Sequence, residues 1–172
     1  NSMNVYDQIT VDKHVVCESS LLKATITGHI YSLKMIANTD NGSIVSRGDW
    51  VEDQIFNAKA YAAGEQPLLV LTPPYGYNSD RRSYQDECNF YNATGEVARA
   101  YELCEGDIFT VSSEAITALA EAPVLKNYVS VSNGLYQEAA TPGQTGFVGQ
   151  IIEKVNYTNS VSYRILVVKT GV

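Results

Sequence analysis

Gly106-Asp107-Ile108-Phe109-Thr110-Val111-Ser112, Asn133-Gly134, Gly146-Phe147-Val148-Gly149-Gln150-Ile151-Ile152-Glu153 and Tyr163-Arg164-Ile165-Leu166-Val167-Val168 are the stretches that decide the fold. The first opens with a Gly-Asp turn and enters a short β-prone run. Asn-Gly tolerates the positive φ of a tight hairpin turn, and it stops the strand predicted over 127–132. The last two belong to apolar runs, Phe147 to Val155 and Ser162 to Lys169, that read as core strands closing the chain. Between them, Ser112 to Ala120 carries hydroxyls suited to capping and an acid in the first turn, which predicts one short helix over about 113–121, ended by Pro123. Thr141 to Gly146 is a loop by composition.

Working outward, Val97 to Leu103 alternates and runs through Glu105-Gly106 into the strand at Ile108, giving a strand, a tight turn and another strand. Leu68-Leu69-Val70-Leu71 is a continuous apolar run that reads as a buried strand. Glu52 to Ala63 matches helical and strand spacing about equally and is taken as extended. Leu21 to Ala37 is β-prone and broken at Gly28. Thr39-Asp40-Asn41-Gly42-Ser43 is the strongest hairpin signal of the first half. Arg47-Gly48-Asp49 spells a cell-adhesion tripeptide, but a Gly-Asp turn feeding a strand at Trp50 explains it, as at Gly106-Asp107. That echo raises the option of two small related β-modules. The expected architecture is mainly β, a barrel or sandwich with one short helix: a single domain over 21–172 preceded by an extended arm over 3–20.

Composition narrows the function. A chain of 172 residues, 45% hydrophobic and 18% charged, is ordinary for one globular domain. Its net charge of -7 and the lack of any basic run longer than Arg81-Arg82 argue against nucleic acid. No apolar span long enough for a membrane helix and no leader pattern is present. Asn1-Ser2 reads as a cloning remnant ahead of a natural start at Met3, so the sequons at Asn41, Asn92 and Asn156 are expected to carry no glycan. Cys17, Cys88 and Cys104 are unclustered and read as thiols in a reducing compartment.

The search for chemistry is mostly negative. His14 and His29 sit in no nucleophile motif, and no Gly-x-Ser-x-Gly or phosphate-binding glycine loop occurs. His14-Val15-Val16-Cys17 has the gap of a metal half-site without a second half. Glu52-Asp53 and Asp86-Glu87 are adjacent acids that a strand points to opposite faces. Neither a catalytic residue, a cofactor nor a metal is therefore expected. Contact with a partner is expected instead in the longest loop, where Tyr75, Tyr77, Arg81, Arg82 and Tyr84 combine amphipathic rings with the only paired arginines.

The four opening stretches, in that order, resemble the head decoration or capsid cement proteins of tailed bacteriophages, over about residues 97 to 172. The resemblance implies a non-enzymatic structural protein on the outside of the virion, made in the bacterial host cytoplasm. Its partner would be the major capsid protein, and a homotrimer is a candidate assembly. Two alternatives share the β-rich composition: a phage fibre or tail component, and a carbohydrate-binding β-module using Tyr75, Tyr77, Tyr84 and Trp50 as a stacking platform.

Overall fold

The computed structural model describes residues 15, 17–24, 30–72, 92–157 and 160–171. With 54% strand against 3% helix, the chain is mainly β, as its alternating and turn-bounded runs predict. Five strands, β2 (Ile30–Lys34), β3 (Ile44–Glu52), β4 (Ile55–Ala60), β5 (Leu68–Val70) and β6 (Val97–Glu102), close into a barrel in the order β2-β4-β3-β5-β6. Seven others form a sheet. These are β1 (Cys17–Leu21), β7 (Ile108–Ser112), β8 (Ile116–Thr117), β9 (Tyr128–Ser132), β10 (Leu135–Ala139), β11 (Val148–Tyr157) and β12 (Ser160–Lys169), ordered β1-β7-β12-β11-β9-β10-β8.

Barrel and sheet share an interface because β5 and the Ile44-Val45 start of β3 are apolar on both faces. Val45, Leu68 and Val70 point into the barrel with Leu33, Met35, Ala58, Ala98 and Ala100. Ile44 and Leu69, paired across the ladder, face the other way. They join Phe109, Val111, Val129, Tyr136, Phe147, Ile151 and Ile165 in the core of the sheet. The apolar run at 68–71 is thus a strand buried on both sides, as read.

Residues 40–44 form the joint. Gly42, at φ +90°, donates its N–H to Val70 O of the barrel at 2.7 Å, and Ile44 N donates to Gly134 O of the sheet at 2.7 Å. The expected hairpin at this point is a turn only. Strand β2 pairs with β4 in parallel and with β6 antiparallel, and β3 pairs with β4 and β5. Asn41 explains the departure: its side chain bonds Thr72 N and O at 3.0 and 2.8 Å and accepts from Asn92 Nδ2 at 3.1 Å, tying the turn across to distant loops. Asn41 and Asn92 are both buried, so glycosylation at either sequon would dismantle this network.

Asn133 (φ 51°) and Gly134 (φ 82°) make the tight turn between β9 and β10. Strands β11 and β12 pair antiparallel along their length, and 55–60 is extended. Gly48-Asp49, by contrast, is no turn: it lies inside β3 at a β-bulge between Arg47 and Trp50, where a Cβ on Gly48 would approach Asn57 O to 3.0 Å. Gly106 is in a turn at φ +91°, so the two Gly-Asp pairs do different jobs and the sequence echo carries no structural one. Of the stretch expected as an arm, Cys17–Ser20 belongs to β1 and pairs with β7. Residues 1–14 lie outside the described residues.

The helix expected over about 113–121 is a single 3-10 turn, Ser113–Ala115, followed at once by β8. Ser112 makes no side-chain cap, and the β-branched Ile116 and Thr117 add a parallel strand beside β10 instead.

Candidate functional site

Along β10 burial alternates, with Tyr136 and Glu138 on the inward side. Tyr136 sits in the core and its hydroxyl donates to Gly42 O at 2.7 Å. Glu138, two residues on, is 1% exposed, and among the described residues neither lysine nor arginine meets it in a hydrogen bond. Its Oε1 accepts from Leu119 N at 2.9 Å; its Oε2 accepts from Val124 N at 2.7 Å and Asn127 Nδ2 at 2.8 Å. Burial acts to raise this carboxyl, but the donors from Leu119, Val124 and Asn127 outweigh it and hold the group below its usual range. Desolvation is the largest single influence on this carboxyl, and it takes the three donors together to keep the charge in place.

One carboxylate therefore replaces a helix as the organiser of 118–127. Leu119 N, which in a helix would bond Ala115 O, goes to Glu138. The far end of the loop is pinned to β11: Lys126 N donates to Ile151 O at 2.7 Å, Ile151 N donates to Asn127 O at 2.9 Å, and Gln150 Nε2 reaches Lys126 O at 3.1 Å. The side chains it displays are apolar. Leu119, Val124 and Leu125 are 59%, 54% and 47% exposed, and Ile152 on β11 is partly exposed beside the pinned end. A fixed backbone presenting exposed leucine and valine has little ordering cost left to meet on binding.

Of the residues singled out from sequence, Tyr75, Tyr77, Arg81, Arg82 and Tyr84 lie outside the described residues, as do His14, His29 and Cys88. Trp50 is described: it is 62% exposed on β3, and its indole N–H donates to Asp53 O at 2.7 Å. Cys17 and Cys104 are free thiols. Burial raises both, with Glu18 adding to the effect at Cys17 and Asp107 at Cys104, so neither is an activated nucleophile. Among the described residues no group of three His, Cys, Asp or Glu side chains is placed to hold a metal ion, and no helix there is long and apolar enough to cross a membrane.

Sequence reasoning missed the 118–127 loop because its composition, Ala-Leu-Ala-Glu-Ala, favours a helix. The available signal was the alternation in β10, which puts an acid on the same face as Tyr136. No family model, no curated protein and no solved structure matches the chain.

Proposed function

We propose that this chain is a non-enzymatic structural protein that binds the outer surface of an assembled tailed-phage capsid and stabilises it through the major capsid protein. The observation that carries the reading is the Glu138-clamped loop with Leu119, Val124 and Leu125 turned to solvent. Apolar side chains on a rigid loop suit a binding hot spot. They are an anchor and not a whole interface, since a stable contact buries roughly 800 Å2 on each partner. A homotrimer, or the repeated sites of a shell, would multiply such anchors by avidity. The resemblance of Gly106 to Val168 to capsid cement proteins points the same way. Binding restricted to the assembled shell would stabilise it by mass action.

The test is co-sedimentation of the full chain with assembled capsids of the phage that encodes it, run beside unassembled capsid protein. Saturable binding to capsids alone, with a raised capsid melting temperature, is the expected result. Equal or absent binding to both would end the proposal.

A further inference from the structure

The barrel carries a second feature, far in character from the apolar loop. A solvent-open cleft of 450 Å3 is lined by Tyr31, Ser46, Arg47, Glu65, Gln66, Leu68 and Glu102. That volume falls in the range of small-ligand sites, roughly 300–1,000 Å3. The Arg47 guanidinium lies over two rings, 5.4 Å from the centroid of Tyr31 and 4.7 Å from that of Phe56. Stacking fixes its plane and leaves its N–H edges without an acceptor among the described residues. Tyr31 Oη donates to Glu102 Oε2 at 3.2 Å. Glu65 is bonded by Lys59 Nζ at 2.5 Å and by Ala62 N at 3.1 Å, which uses two of the roughly four acceptor positions a carboxylate offers.

Ser46 supplies an independent sign that the cleft is built for something. It is 2% exposed, it lines the cleft, and among the described residues its hydroxyl has no partner that meets strict hydrogen-bond geometry. The hydroxyl favours the charge of Glu65, its neighbour in the cleft lining. An orphaned buried hydroxyl is costly unless a ligand completes it.

The charges decide the ligand class. Arg47 and Lys59 offset Glu65 and Glu102, so a full anion meets two carboxylates and a cation meets two basic groups. A hydroxyl accepts from a guanidinium and donates to a carboxylate at once, and neighbouring hydroxyls on a ring do both repeatedly. We propose that this cleft binds a neutral, hydroxyl-rich ligand, a sugar ring, with Arg47 and Ser46 donating to its oxygens and Glu65 accepting from its hydroxyls. The site is on the barrel and the apolar loop on the sheet, so the proposal does not rest on the capsid reading.

Calorimetric titration of the full chain with a panel of neutral mono- and disaccharides, with glucuronic and sialic acids as charged comparators, tests it. Saturable binding of a neutral sugar is expected. Arg47→Met, which keeps the stem on the rings, should weaken it about tenfold, the loss of one hydrogen bond to a charged group. Ser46→Ala deletes only the orphaned hydroxyl; it should weaken binding with the melting temperature held, and it keeps the test decisive if Arg47→Met folds poorly. No sugar bound by the full chain, binding of the acids alone, or binding unchanged by Ser46→Ala would overturn the proposal. Leu119→Asp should leave sugar binding intact, and Ser46→Ala should leave capsid binding intact, so the two proposals fail separately.

Discussion

The hydroxyl of Tyr136 donates to the carbonyl of Gly42 at 2.7 Å, spanning 94 residues of sequence to join sheet to barrel. Tyr136 also packs its ring against Phe109 and Phe147, with centroids 5.9 and 6.3 Å away. Tyr136→Phe retains that packing and orphans a buried carbonyl. It should cost roughly 1–3 kcal/mol, read as a shift in the urea midpoint with the slope unchanged. A midpoint equal to that of the parent chain would show that the joint does not depend on this bond.

Gly42 itself offers a sharper comparison. At φ +90°, an added Cβ would lie 3.1 to 3.2 Å from Val111 Cγ1, Cys17 Cβ and Val15 Cγ1, whereas at Gly106, φ +91°, it would meet nothing within 4 Å. Both alanine variants bear left-handed strain of roughly 1–2 kcal/mol; Gly42→Ala adds overpacking of roughly 1–3 kcal/mol. Thermal unfolding should therefore rank Gly42→Ala well below Gly106→Ala, and equal melting temperatures would contradict the close packing at the joint.

Glu138 makes stability depend on pH in a stated direction. Its folded carboxyl lies below the ordinary value, so its contribution is in place above the unfolded value, about 4.3, and is lost as pH falls through the folded one. Glu138→Gln should cost roughly 1–3 kcal/mol near neutrality, because the amide offers one acceptor oxygen to three donors. The difference between parent and variant should shrink in acid. A gap that stays constant from neutral to strongly acidic pH would rule out the charge as its source.

Legibility followed sequence distance. The Asn133-Gly134 turn, the closing pair β11 and β12 and the buried run at 68–71 rest on local turn chemistry and apolar pattern, and each was readable. Gly48-Asp49 was misread because a bulge and a turn use the same residues, and only Asn57 on the neighbouring strand distinguishes them. The helix at 113–121 was misread because its competitor, a carboxylate on β10, is up to 25 residues away. Tyr31, Arg47 and Phe56 meet only through barrel closure, including the parallel pairing of β2 with β4, which no local pattern announces.

The loop is where the functional account is most exposed. Leu119→Asp combined with Val124→Asp changes two exposed side chains whose backbone amides, and not the side chains, hold the Glu138 clamp. Melting should move by no more than about 0.5 kcal/mol per site. Co-sedimentation of this double variant with assembled capsids, beside the parent chain, is the most direct measurement. The account predicts at least a roughly hundredfold loss of affinity, the effect of removing hot-spot side chains of about 2–3 kcal/mol. Parent-like binding by a folded double variant would contradict it.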